Sequence, residues 1–257
     1  LGGATVLPGF IETHMHPIAA GVQMLAPQIG YPDCRTVADV VAVLREQAAA
    51  TPVGEPIQAW GYDDSLMVDD RHLTRHDLNA VSTEHPIFIR HISGHLSYAN
   101  DHMLELAGIT DDVEDPVGGL FQREASGRPN GCMEETATFA VDGVLPFAEP
   151  QIMAAGARAI SDHCLSVGVT SMTDALVLAT EMYATYQEGI DDRSIRVRTR
   201  LFPGWRFLDD LPPRTGLGGE MLSIGALNFL SDGSIPGSTA CLCQGYPLPP
   251  NHPGRRP

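Results

Sequence analysis

The stretch Val6-Leu7-Pro8-Gly9-Phe10-Ile11-Glu12-Thr13-His14-Met15-His16-Pro17 decides how the rest of this chain is read. From Thr5 to Ile11 it is β-prone and mostly apolar, interrupted by Pro8-Gly9, and it runs directly into the histidines. We read it as a buried strand ending at His14 and His16. Residues two apart on a strand point to the same face, so both imidazoles can converge on one metal ion. Neutral imidazole nitrogen ligates zinc and similar divalent ions at about 2.0 to 2.1 Å. Taken alone, the pair also fits two ordinary strand-end histidines, so its surroundings decide.

Outward from this stretch, the 257 residues carry 16 basic and 32 acidic side chains, a formal charge of −16, and every basic one is Arg. The absence of lysine excludes a Walker-type phosphate loop, Schiff-base catalysis and a carbamylated-lysine metal bridge. The acidic balance argues against nucleic acid or an anionic membrane as partner, because both require clustered positive charge. Five scattered cysteines (Cys34, Cys132, Cys164, Cys241 and Cys243) do not resemble the framework of a small stapled domain and point to a reducing, cytoplasmic setting. Cys241 and Cys243 lie two apart, not the three of a zinc ribbon. No run approaches the ~18 apolar residues of a membrane span, so a soluble protein is expected. The sequence opens without Met and closes on Pro253-Gly254-Arg255-Arg256-Pro257, and we expect both ends to be cut.

Thr36, with Asp39 three residues on, predicts a helix to about Ala50, since Val37, Val40, Val41 and Leu44 recur at helical spacing. Ile57 to Tyr62 and Pro86 to Ile92 read as strands, with a short helix start at Thr74 and Asp77 between them. Asn100 to Leu106 reads as a helix ended by Gly108. Residues 111–131, rich in Asp, Gly and Pro, fit turns in a surface loop or ribbon. From Pro150 the texture alternates: a helix to Val167 stopped by Gly168, a strand from Val169 ending at Asp174, a helix from Leu178 to Gln187, a strand from Ile195 to Phe202, and a last strand from Ala226 to Leu230. Strands alternating with helices signal parallel α/β architecture.

The opening run resembles the first strand of the amidohydrolase superfamily. Trp60-Gly61-Tyr62-Asp63-Asp64, His91-Ile92-Ser93-Gly94-His95, Gly131-Cys132-Met133-Glu134-Glu135 and Leu230-Ser231-Asp232-Gly233-Ser234 resemble its YtcJ-like, amidohydrolase 3 branch, in order and across nearly the whole chain. That branch includes N-substituted formamide deformylases. The resemblance implies α/β architecture in the form of a partial (β/α)8 barrel, about four of eight strands, with an inserted α+β segment. Residues 1–35 would hold the first strand and metal-motif loop, 36–149 the insertion, and 150–257 the continuing barrel units. It also implies metal-dependent hydrolysis of an amide or formamide C–N bond in a small-molecule substrate, with a divalent metal, zinc in our reading.

Residue by residue, His14 and His16 match the first-strand metal ligands. Asn228 stands where many relatives carry the lysine of the fourth strand, so the carbamate bridge is excluded. Glu135 is the candidate carboxylate ligand, with Glu134 as substitute; the competing reading is a carboxylate favoured by a helix N-terminus. His95 is expected to touch substrate or the attacking water, or else to bond loop backbone. Asp232 faces substrate or caps a loop. His91 reads as a strand end, His72 and His76 as solvent-exposed, and Asp63 with Asp64 as a solvated turn or a site entrance. Two further functions stay open: a catalytically inactive barrel remnant, and a metal-free module that binds a small polar ligand. Open sheet edges predict self-association.

Overall fold

A computed structural model of the chain describes residues 2–141, 143–145, 149–207, 215–235 and 240–244. It divides into two compact units, residues 1–25 with 146–229 and residues 26–145 with 230–257. The first unit opens with strand β1 (Phe10–Met15) and helix α1 (Pro17–Leu25). The chain then builds the second unit from α2 (Val37–Ala50), β2 (Ile57–Tyr62), α3 (Arg75–Asn79), β3 (Ile87–His91), β4 (Leu96–Ala99), α4 (Asp101–Leu106), β5 (Gly119–Arg123) and β6 (Pro129–Glu135). It returns to the first unit with α5 (Pro150–Ser166), β7 (Val169–Val177), α6 (Thr180–Asp191), β8 (Arg198–Pro203) and β9 (Leu222–Ile224).

The first unit is a four-stranded sheet in the order β1-β7-β8-β9, parallel throughout. On β8, Thr199, Leu201 and Pro203 are buried while Arg198 and Arg200 are exposed, the period-2 pattern of a sheet covered on one face. Met172 and Leu201 meet Met153, Ala157, Ile160 and Cys164 of α5, which recur at helical spacing, together with Tyr186 of α6 and Ile18 of α1. Helix α5 ends where expected, with Gly168 in the left-handed region (φ +82°).

Helices α1 and α5 cross at two glycines. A Cβ on Gly21 would lie 1.8 Å from the Gly156 carbonyl oxygen, so the backbones approach where no larger residue fits. Gly21→Ala must push the helices apart and is expected to cost about 1–3 kcal/mol, read as a lower urea midpoint.

Three expectations need correction. The opening strand lies at Phe10–Met15, and its side chains are exposed instead of buried: Phe10 is 57% and Ile11 68% accessible. It is an edge strand with β7 as its one neighbour among the described residues, and only Met15 at its end packs against the core. The last strand is Leu222–Ile224, not Ala226–Leu230. The Gly225 N–H bonds to the Leu201 carbonyl, but the Asn228 N–H bonds to that of Pro203, so three steps on one strand match two on the other. That extra residue ends the regular ladder and leaves Asn228 as an isolated bridge to Gly204. Finally, residues 111–131 include the hairpin strand β5 and the start of β6. Gly118 and Gly127 do take turn conformations (φ +78° and +89°), but they bound short strands: β5 pairs with β6, and β6 pairs in turn with β4, a tertiary contact.

The second unit is a five-stranded mixed sheet, order β2-β3-β4-β6-β5, with β2 and β3 parallel and the other pairs antiparallel. Alternate residues of one strand feed opposite cores. Ile87, Ile89, Leu96, Tyr98 and Cys132 pack with Val37, Val40, Val41 and Leu44 of α2 and Leu78 of α3. Phe88, Ala99, Phe121 and Met133 pack with Met103 and Leu104 of α4. Burial on both faces explains why Pro86 to Ile89 is apolar at every position instead of alternating.

The predicted caps are present. Thr36 Oγ1 accepts the Asp39 N–H at 3.1 Å while Asp39 accepts the Thr36 N–H at 2.9 Å, and Asn100 accepts the Met103 N–H at 3.0 Å. Among the described residues no helix is long and apolar enough to cross a membrane. The five cysteines are unpaired.

Candidate functional site

In the first unit the strands run parallel, so their C-terminal ends share one side of the sheet. β1 ends there in register with β7, Met15 opposite Asp174. His14 and His16 flank Met15, both exposed, with ring centroids 5.9 Å apart and planes at 75°. Two imidazoles side by side at a strand end, open to solvent, are a suitable donor set for a divalent ion.

Beside them, His16 Nδ1 lies 3.7 Å from Asp174 Oδ1. Asp174 is fully buried; its Oδ2 accepts the Tyr186 hydroxyl at 2.7 Å and its Oδ1 the Leu176 N–H at 3.1 Å. Burial, reinforced by the neighbouring Asp174, pushes the Tyr186 phenol well above its usual range, so it remains a proton donor. On the same side of the sheet, Asn228 donates its side-chain amide to the Ala175 carbonyl.

In the second unit, His95 at the start of β4 faces Glu135 at the end of β6. The Glu135 N–H bonds to the His95 carbonyl at 2.8 Å, which holds the two strand ends together. His95 Nδ1 then lies 2.8 and 3.1 Å from the two carboxylate oxygens of Glu135. A carboxylate only accepts, so Nδ1 carries the proton and, in the neutral ring, Nε2 keeps the lone pair. Glu135 sits at φ +52°, a strained position for a residue with a side chain, and this is the kind of strain that clusters at working sites. Its sequence setting gave no sign of that backbone state.

A second cluster surrounds Asp64. Asp63 caps a short 3-10 turn (Asp64–Leu66), accepting the Ser65 N–H at 3.1 Å and its hydroxyl at 2.6 Å. Asp64 is thereby set against His91 and His72, which removes the solvated turn from the two expected readings. His91, at the end of β3 as predicted and buried there, accepts the Ser93 N–H on Nδ1 at 3.1 Å. The Nε2 proton is therefore the one that meets Asp64 Oδ1 at 3.0 Å. His72 Nδ1 lies 3.4 Å from the same oxygen and 3.0 Å from the Tyr98 hydroxyl, so only His76, 65% exposed, is the solvent-facing histidine expected of both. Asp63, Asp64 and His91 could also present one ligand atom each within 4.8 Å of one another. The proton on His91 Nε2 makes the present arrangement a hydrogen-bond network.

Burial alone would raise the Asp64 carboxyl, but hydrogen bonds from His72 and His91, joined by the positive charge of these rings when they are protonated, outweigh it and hold it well below the usual carboxylate range. A carboxyl with a depressed folded-state pKa adds stability that is present above its unfolded value, near 4, and lost as pH falls through its folded value. Asp64→Asn is accordingly expected to unfold at lower urea than the parent at pH 7. The gap should narrow as pH drops below about 4, and a constant gap would exclude the charge as its cause.

Asp232 lies in the second unit, exposed. Its Oδ2 accepts the Cys241 N–H at 3.0 Å and its Oδ1 the Ser231 hydroxyl at 3.1 Å, so it ties a loop together. Sequence reading missed Tyr186 altogether and noted Asp174 only as a strand end. Their twelve-residue separation signals nothing until β7 and α6 pack. It likewise separated His95 from Glu135, forty residues apart, without a sign that they touch.

The fold and these sites define a mixed α/β protein that carries a strand-end imidazole pair suited to a divalent metal. The chain belongs to the Amidohydrolase family, whose sequence profile matches residues 1–255. It is similar to YtcJ of Bacillus subtilis (strain 168), a protein named as an amidohydrolase, at 25% identity over 99% of this chain and 48% of that one. It is also similar to an N-substituted formamide deformylase of Arthrobacter pascens, at 29% identity over 71% of this chain and 35% of that one. Among solved structures, an uncharacterized metal-dependent hydrolase from Pyrococcus horikoshii OT3 shares the fold, with a TM-score of 0.63 at 20% identity over 88% of this chain and 43% of that one. The chain thus spans about half or less of the length of the relatives it matches.

Proposed function

We propose that this chain supplies the first-strand metal ligands of a metal-dependent hydrolase that cleaves an amide or formamide-type C–N bond in a small molecule. The observation that carries the reading is the exposed His14 and His16 pair at the C-terminal end of a parallel strand, in a chain of the Amidohydrolase family. The family membership and the α/β units also favour reading the four parallel strands as part of a (β/α)8 barrel, with residues 36–149 as its insertion. The formamide class rests on the name of the Arthrobacter relative.

A divalent ion on this pair, zinc in our reading, would polarise the amide carbonyl and lower the pKa of an attacking water. His14 and His16 hold their rings on one strand end for it. Within the second unit, Glu135 engages the Nδ1 proton of His95 and leaves the Nε2 lone pair able to take a proton, which fits the role that the family resemblance implies for this residue. Glu135 is also the candidate metal carboxylate; the contact of both its oxygens with His95 favours the orienting role. Loop-capping is the role the geometry supports for Asp232. The charge of −16 supports a partner that is neither nucleic acid nor an anionic surface, and the exposed β1 edge supports association with another strand.

The test is metal content together with amide and formamide hydrolysis by the full-length protein. Stoichiometric divalent metal and turnover of one of these substrates support the reading; a folded protein with neither overturns it.

A further inference from the structure

Asp174 is a buried carboxylate that the proposed chemistry does not use. Among the described residues its one possible cationic partner is the His16 ring, and its remaining contacts are neutral donors. A buried charge is costly unless it is paired as well as hydrogen-bonded; both Asp174 oxygens have their hydrogen bonds, and His16 is the group placed to supply the pairing charge.

We propose that Asp174 is a positioning residue for the metal ligand His16, holding its Nδ1–H so that Nε2 is the nitrogen presented to the metal. This rests on the reading of His14 and His16 as metal ligands. Asp174 is the fixed partner: Tyr186 holds Oδ2 from α6 at 2.7 Å, and the Leu176 N–H holds Oδ1 at 3.1 Å. His16, half exposed, is the adjustable one, and the 3.7 Å separation is longer than a formed hydrogen bond. Small rotations of that ring change the separation without disturbing the core. Histidine ligands almost always donate their second ring N–H to a carboxylate, carbonyl or water, which fixes the tautomer and raises ligand basicity. Tyr186, through its bond to Asp174, extends the support into the core.

The test uses the full-length protein with zinc as the probe. Asp174→Asn keeps shape and removes the charge. It is expected to weaken zinc binding, measured by chelator competition, about 10- to 100-fold. In the metal-free protein, nitrogen NMR of His16 should show the Nδ1–H form losing its dominance, a readout that a purely structural role for Asp174 would not move. A folded Asp174→Asn with unchanged zinc affinity and unchanged tautomer overturns the proposal. If that variant does not fold, Tyr186→Phe carries the test: a weaker zinc affinity supports the proposal, and an unchanged one overturns it. The double variant His14→Ala, His16→Ala separates the two readings. Loss of zinc there upholds the metal assignment whatever Asp174 does, and retained zinc overturns that assignment and this inference with it.

Discussion

Replacing His14 and His16 together with alanine is expected to strip the divalent metal from the full-length protein and to lower amide or formamide hydrolysis by roughly 10³-fold or more. A metal acting as Lewis acid supplies several kcal/mol of transition-state stabilisation, and each 1.36 kcal/mol is tenfold in rate. Both rings are exposed on an edge strand, so their truncation removes little packing and the variant should remain folded. Metal analysis, kcat/KM and a urea midpoint on the same sample make the comparison. Unchanged metal and rate in a folded double variant would sink the proposed function. Loss of the fold would instead assign the histidines a structural task.

The second large effect concerns stability and centres on Asn100. This residue is fully buried, and its side chain makes four hydrogen bonds. Oδ1 accepts the N–H of Ile87 at 2.9 Å and of Met103 at 3.0 Å, while Nδ2 donates to the carbonyls of Ser82 at 3.0 Å and His85 at 2.8 Å. It therefore joins the start of β3, the start of α4 and the loop before β3. Asn100→Leu keeps much of the volume but leaves up to four backbone groups without partners in the interior. Each buried unsatisfied group costs about 1–3 kcal/mol, so a loss of at least about 3 kcal/mol is expected for the second unit. Urea denaturation followed by a probe in that unit checks it. A loss below about 1 kcal/mol would mean that water or a shifted backbone replaces the side chain.

Asn100 also shows what a sequence can and cannot disclose. Its place before a short apolar helix marks it as an N-cap, because the first-turn N–H groups need an acceptor. Nothing local reveals that the same amide spans two further segments. The same division runs through the candidate sites. The His14-Met15-His16 spacing is legible because strand geometry alone puts alternate residues on one face. The pairings of His95 with Glu135, His91 with Asp64 and His16 with Asp174 are not, since each joins residues far apart in the chain. The turn at Asp63-Asp64 reads as a solvated turn or a site entrance for the same reason: its polarity is local information, and the imidazoles that meet it come from elsewhere.

What the sequence determined by itself follows from short-range physics. It supplied the capped helices, the apolar strands at Ile57–Tyr62 and Ile87–His91, the alternation of strand and helix after Pro150, the absence of lysine, and the family resemblance. Tertiary structure alone decided the rest. It made a hairpin of a Gly- and Asp-rich stretch by pairing it to β4, interrupted the last ladder with one extra residue, and left the opening strand at a sheet edge. It also placed a buried carboxylate beside His16. Those outcomes depend on which strand lies next to which, and burial and pairing partners are set only when distant segments compete for the same neighbours.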